Sequence, residues 1–400
     1  MPLILRFKTF ACLAPVFWAL GAASFAQVPR FRHVFLVVEG NQSYTSVIGN
    51  PAMPYLNSLA DRYGRATNYY ANSHPSIGNY FALTIGETFT NNNNPGFSGC
   101  CEGGIVTGDN IVRELVAAGM TWKSYAEGFL GIEYGPEPHN PFTYFSDVTN
   151  YPVQIANLVP FSQFASDLAA GTLPNYAFIV PNLQNDGYDC PANKPVCRNV
   201  DKLRNMDNWL QTNIDPLVTS SAFQADGLLI IVFDQSDDTD QTNGGGHVAA
   251  IVVSPKVKAA GYRGRAFFQH QSVLKLMASA LGLTHYPGTS AFVSDMRQFF
   301  GDATWSCPVR ANNALTVSIC SPSDGSTLRS PLPVFAMSVS NNPLALVELD
   351  VDGVAVGAST ANPLSTQVNL PPGAHLLTVQ ATDNTGKAAS SSVSVNVVPK

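Results

Sequence analysis

The chain has 400 residues, 45% hydrophobic and only 12% charged, with a formal net charge of −6. This length exceeds one ordinary domain and suits two or three, and the apolar content can fill a large core. No basic cluster offers itself to neutralise phosphates, which excludes a nucleic-acid partner.

Residues 1–26 read as an export signal. Arg6 and Lys8 supply a positive start, Phe10 to Ala22 an apolar run, and Ser24-Phe25-Ala26 a small-x-small cleavage site. The run is about 13 residues, too short to span a bilayer, so no transmembrane anchor is expected. The mature chain is expected to be secreted or periplasmic.

From residue 27 to 306, apolar runs alternate with helix-like segments. "HVFLVV" (33–38), "NYAFIV" (175–180), "GLLIIVF" (227–233) and "HVAAIVVS" (247–254) read as buried strands. "IGNYFALTIG", "NIVRELVAAG" and "HQSVLKLMASALG" have helical periodicity and end at glycine. Near-continuous Val/Ile/Leu strands separated by helices predict an α/β sandwich with a largely parallel sheet.

In such a sheet, ligands bind beyond the carboxyl ends of the strands. Glu39 and Asn41 follow the first run, Asp186 and Asp189 follow the second, and Asp234 and His247 follow the third. Hard oxygen and imidazole donors at three strand ends predict a site for a divalent metal ion. Asp and Asn also favour turns for purely local reasons, so any one of these could simply end a strand. Ser76 precedes a helix, where free N–H groups and the helix dipole favour an anion. It could equally be an ordinary N-cap worth about 1 kcal/mol.

Residues 307–400 change character to alternating, β-branched strands. Turn signals stand at Asp352-Gly353, Pro371-Pro372-Gly373 and Asp383-Asn384. This predicts a C-terminal all-β immunoglobulin-like sandwich serving as a spacer or adhesion module, with a cell surface or glycan as its expected partner. Without the signal, six cysteines remain, an even number that suggests three disulfides in an exported chain. Cys190 can staple a loop to Cys197 and Cys307 to Cys320, while the pairing of adjacent Cys100 and Cys101 stays open.

The segments "HVFLVVEGNQSY", "HPSIGNYFALTIGE", "VPNLQNDGYDC", "FDQSDDTDQTNGGGHVAAIVVSP" and "HQSVLKLMASALGL" stand in a telling order. Over roughly residues 32–300 the chain resembles the bacterial phosphoesterase family of acid phosphatases and phospholipases C, in the alkaline-phosphatase superfamily. The resemblance implies an alkaline-phosphatase-like three-layer sandwich, a metal-supported nucleophile and a covalent phospho-enzyme. By position, Ser76 looks like the nucleophile and Asn79 a phosphate contact, while Asn41 and Asp234 match metal-binding positions. Asp186, Asp189 and His247 fall in motifs carrying further ligands or acid–base groups. His74 and His139 would contact phosphate or protonate the leaving group.

Three positions depart from the family pattern: Gly40 stands for a glutamate, Gln235 for an acid and Tyr188 for a histidine. Glu39, one residue earlier, could replace the first, and Gln235 could ligate through its carbonyl. The expected function is an exported, metal-dependent acid phosphatase acting on a phosphate-ester small molecule or phospholipid head group. A phospholipase C-type phosphodiesterase and a catalytically degenerate secreted binding protein are the alternatives.

Overall fold

The long apolar runs become strands covered on both faces. A computed structural model describes residues 28–90, 104–131, 139–301, 315–330, 332–340, 342–359 and 364–398. The export signal, Cys100, Cys101 and Cys307 lie outside these residues. Eight strands form one sheet: β1 (His33–Glu39), β2 (Gly64–Ala66), β3 (Trp122–Ala126), β4 (Leu158–Pro160), β5 (Tyr176–Val180), β6 (Gly227–Phe233), β7 (Ala250–Val253) and β8 (Tyr262–Gly264). Their order is β4-β3-β5-β1-β6-β7-β2-β8. β1 runs parallel to β5 and β6, and β7 alone runs against its neighbours.

β1 and β6 lie centrally, buried from Val34 to Glu39 and from Gly227 to Phe233. A strand with helices on both sides has no solvent face, so its sequence cannot alternate. The Ile77–Ile85 helix packs on the His270–Leu281 helix, and Pro54–Arg62 packs on Asn199–Thr219. The Ile77–Ile85 and His270–Leu281 helices stop where Gly86 and Gly282 take left-handed backbone (φ 77° and 85°), as the glycines predicted. The result is the expected layered α/β domain.

One strand is shorter than its sequence suggested. Within 247–254 only Ala250–Val253 joins the sheet as β7. His247 instead forms an isolated bridge with Tyr70, and the Val248 N–H donates to the Tyr69 carbonyl at 3.1 Å. Local pairing with the 69–70 segment therefore removes these residues from the strand.

The second domain has eight strands: β9 (Thr316–Ser321), β10 (Ser326–Arg329), β11 (Leu332–Val339), β12 (Leu344–Val351), β13 (Val354–Ser359), β14 (Leu364–Val368), β15 (Gly373–Asp383) and β16 (Ala388–Val398). They form two sheets, β10-β16-β15-β12-β13 and β14-β11-β9, around a core including Leu332, Val347, Leu349, Leu377 and Val379. At the β12–β13 turn both Asp352 (φ 52°) and Gly353 (φ 81°) are left-handed, the hairpin geometry expected of Asp-Gly. Cys190 and Cys197 are bonded, with Cα atoms 5.6 Å apart, and Cys320 is also disulfide-bonded.

Candidate active site

β1, β5 and β6 end side by side, and main-chain bonds lock their exits together. The Asp234 N–H donates to the Glu39 carbonyl at 2.9 Å, and the Gly40 N–H donates to the Asp186 carbonyl at 2.9 Å. These bonds bring residues that are 195 positions apart in the chain, from 39 to 234, to one edge of the sheet.

Glu39 is fully buried, and neither carboxylate oxygen has a hydrogen-bond partner. Burial, and then the charges of Asp186, Glu127, Asp207 and Asp234, push its pKa well above the usual carboxylate range. Asp186, 3% exposed, accepts the Tyr188 N–H at 2.8 Å and is also held high, mainly by burial. A Cβ at Gly40 would stand 3.0 Å from the Asp186 carboxyl, a tight contact from which Asp186 would have to give. Gly40→Ala should force Asp186 aside and lower kcat about tenfold or more with the fold intact, which steady-state kinetics and circular dichroism check.

Asp234 is 1% exposed. Its Oδ1 accepts the Gln235 N–H at 2.6 Å, and the nearby Ser76 side chain helps to keep the carboxylate ionised. Burial raises its pKa to about 7 against those two influences. Its Oδ2 has no partner, and neither has the buried Gln235 Oε1. Counting Glu39, four acceptor oxygens around one strand-end junction are thus buried and unsatisfied, a costly arrangement in an apolar environment. Hard oxygens are the donors a divalent cation takes, although Glu39, Asp186 and Asp234 do not bring their ligand atoms within 4.8 Å of one another.

Ser76 sits before the first turn of the Ile77–Ile85 helix but does not cap it. Its own backbone is helical (φ −50°, ψ −42°), and its side chain makes no capping bond. The hydroxyl acts on Asp234, where it favours the ionised carboxylate. The peptide between His74 and Pro75 is cis. Asn79 holds this loop: its Oδ1 accepts the Asn72 and Ser73 N–H groups at 2.8 and 3.1 Å, and its Nδ2 donates to the Ser73 carbonyl at 2.8 Å. The amide expected at phosphate therefore works on the loop carrying Ser76.

The histidines separate into different environments. His74 Nε2 donates to the Asp240 carbonyl at 3.1 Å, and its Nδ1 is buried without a hydrogen bond, 3.8 Å from Asp238. The His247 ring is stacked between Tyr44 (4.4 Å) and Tyr70 (4.9 Å), with Nε2 unpartnered. Burial lowers its pKa. His139 lies 5.4 Å from the Tyr80 ring, and burial lowers its pKa to about 4. At neutral pH His139 is uncharged, so a hydrogen-bonding contact suits it better than the role of a general acid.

Two other predicted residues stand apart from the buried cluster. Asp189 is exposed, because the loop closes through its N–H to the Leu183 carbonyl at 2.6 Å and turns the side chain outward. Asn41 is half-buried and lines a cleft of about 370 Å³ with Gln42, Tyr188, Asn199, Lys202 and Asp237. Tyr188 is 48% exposed, so it leaves the ligand set altogether. Among the described residues, the group of His, Asp and Glu with ligand atoms within 4.8 Å of one another is Asp109, Glu114 and His285, none of them predicted. There His285 Nδ1 pairs with Glu114 at 3.1 Å and Asp109 at 3.3 Å, an ordinary ion-pair arrangement.

Sequence reasoning missed two residues. Tyr80, buried one helical turn after Ser76, lies in the field of Asp234, Asp186 and Glu39, which together with burial hold its phenol protonated. The i,i+4 spacing from Ser76 was the available signal. His270, first residue of its helix, bonds the Asp234 carbonyl through Nε2 at 2.7 Å and the Tyr69 hydroxyl through Nδ1 at 2.6 Å. Nothing in its own neighbourhood of the sequence signals this.

Burial lowers the His270 pKa to about 4, below the unfolded value near 6.5. The unfolded chain binds this proton more readily, so the contribution of neutral His270 to stability is complete above pH 6.5. It is lost as the pH falls towards 4, on the order of 3 kcal/mol. The wild-type melting temperature should therefore drop steeply from pH 6.5 to 4 and less steeply in His270→Gln, as calorimetry across that range would record.

The model of the Phosphoesterase family matches residues 40–284, well over half of the chain. The chain belongs to the phosphoesterase family. Membership places it among hydrolases of phosphate ester bonds. A bacterial Ig domain model matches residues 316–395. The chain is 29% identical over 281 residues to a phosphatidylinositol-3-phosphatase of Mycobacterium tuberculosis, covering 67% of this chain and 84% of that protein. It is 27% identical to a probable acid phosphatase of Kluyveromyces lactis, covering 64% of this chain and 59% of the other. For an acid phosphatase of Aspergillus fumigatus the identity is 26%, covering 63% and 55%. The chain thus spans little more than half the length of these fungal relatives. A crystal structure of a protein in the alkaline phosphatase superfamily from Vibrio parahaemolyticus aligns over 91% of this chain and 83% of that one, with 11% identity and a TM-score of 0.49.

Proposed function

We propose that this phosphoesterase is an exported, metal-dependent phosphomonoesterase with Ser76 as its nucleophile. The observation that carries the reading is the Ser76 hydroxyl. It makes no capping bond and acts electrostatically on Asp234, whose Oδ2 is buried and unsatisfied. Glu39, Asp234 and Gln235 would hold the metal, with Asn41 at the cleft and Asp186 behind Glu39. When bound, a divalent cation lowers the pKa of an attacking oxygen and screens phosphate charge.

Ser76 Oγ, its proton lost to solvent, attacks phosphorus while the P–O bond to the alcohol breaks and the alcohol oxygen takes a proton. We assign that proton to His74, two residues from the nucleophile: its Nε2–H is held by the Asp240 carbonyl, and Nδ1 would supply the proton when the ring is doubly protonated. Water then attacks the phosphoserine and releases phosphate, and Ser76 recovers its proton. Monoester cleavage is favoured because the relatives bear phosphatase names. The Cys190–Cys197 disulfide supports an oxidising destination.

The direct test is turnover of p-nitrophenyl phosphate from pH 4 to 9, before and after chelation and with divalent metals returned one at a time. We expect chelation to abolish turnover and one metal to restore it. Full activity in metal-free protein would defeat the proposal.

A further inference from the structure

The immunoglobulin-like module was expected to be a spacer, and a spacer strand shows solvent a polar face. β11, "LPVFAMSV", does not. Leu332, Val334 and Ala336 point into the module's own core, as the two-residue strand period requires. Phe335, Met337 and Val339, on the opposite face, are 2%, 1% and 3% exposed and join Tyr70, Phe267 and Val293 of the catalytic domain in a separate apolar cluster. Both faces of the strand are therefore buried, one of them against the neighbouring domain.

The covered residues lead directly to the site. Tyr70 stacks on Phe267 at 5.4 Å on one side and on the His247 ring at 4.9 Å on the other. Beside it, Asn243 donates its N–H to the Ser340 carbonyl and accepts the Ser340 N–H on Oδ1, both at 3.4 Å. Asn243 adopts left-handed backbone (φ 56°), a conformation that non-glycine residues keep only when their surroundings hold them. Its carbonyl accepts Gln269 Nε2 at 3.2 Å, and the same amide donates to the Ala71 carbonyl at 3.3 Å. The loop then pairs with Ala71 through Gly245 and Gly246. Asp240, on that loop, holds the His247 N–H at 2.8 Å and His74 Nε2 at 3.1 Å.

We infer that the C-terminal module is a positioning element of the active site. Through Phe335, Met337 and Ser340 it fixes Tyr70 and the 240–247 loop, and thereby the places of His247 and His74 beside Ser76. The module acts through these residues and touches no substrate. The activity readout rests on the phosphomonoesterase reading; the other two readouts do not.

The test uses the full chain with Met337→Lys and with the double change Phe335→Lys/Met337→Lys, each placing charge in the apolar interface. Small-angle X-ray scattering reports whether the module is released. The His247 imidazole resonances, shifted by the two stacked tyrosines, report the site without any substrate. Release should enlarge the radius of gyration, move those resonances, and lower kcat for p-nitrophenyl phosphate about tenfold or more with little change in KM. Met337→Leu, which keeps apolar volume, should retain wild-type values in all three. Asn243→Gly keeps the left-handed backbone and drops only Oδ1, so it should fold and move the same readouts less. A released module with unchanged His247 resonances and kcat would overturn the inference, as would a double variant whose module stays docked. If the wild type turns over no phosphate ester, the functional proposal fails, and the scattering and resonance readouts still decide this one.

Discussion

Ser76→Ala should lower kcat for p-nitrophenyl phosphate by about 1000-fold or more while leaving the fold in place. The separation of activity from stability follows from local geometry. A serine acting as an N-cap costs about 1 kcal/mol when replaced by alanine, but Ser76 makes no capping bond, so the Ile77–Ile85 helix loses nothing. What Ser76→Ala would lose is the interaction of the hydroxyl with Asp234, which keeps the Gln235 N–H at 2.6 Å. The melting temperature should therefore move by only a few degrees, about what a 1 kcal/mol change produces in a domain of this size. Brief incubation with substrate and acid quenching should leave phosphate on the wild-type peptide containing Ser76 and none on the variant. An active Ser76→Ala protein would remove this residue from the chemistry.

Glu39→Gln should have opposite effects on binding and on stability. Without a cation, Glu39 is a buried carboxyl with two unsatisfied oxygens and several acidic neighbours, which costs about 1–3 kcal/mol. A neutral amide of the same shape relieves the repulsion, so metal-free Glu39→Gln should melt about 2–4 °C above metal-free wild type. Added metal should raise the wild-type melting temperature strongly and the variant's hardly at all, with affinity about 10–100-fold weaker. Calorimetric melts with and without metal, combined with titration calorimetry, measure both. Equal metal affinity in the two proteins would show that Glu39 is not a ligand, and the acid missing at Gly40 would then be missing from the site.

The same residue illustrates how far sequence alone reaches. A glycine at position 40 made the first strand end look deficient. The structure adds that Asp186 packs against Gly40, where a Cβ would meet the carboxyl at 3.0 Å. Spacing along the chain counts residues, whereas ligation depends on which side chains a strand turns inward and how much room its neighbour leaves.

Much was determined by the sequence itself. Unbroken apolar runs mark doubly covered strands, and β1, β5 and β6 appear where "HVFLVV", "NYAFIV" and "GLLIIVF" predicted them. Asp352-Gly353 turns the hairpin it predicted, and the Ile77–Ile85 and His270–Leu281 helices end at their glycines. These features rest on local forces: burial period, backbone sterics and turn chemistry. Tertiary structure alone decided the rest. It set Asp189 and Tyr188 facing outward, brought His270 under Asp234 and Tyr80 into the field of three carboxyls, and seated the second domain on Tyr70. Each of these depends on which distant segments meet, and no local preference within a segment encodes its partner.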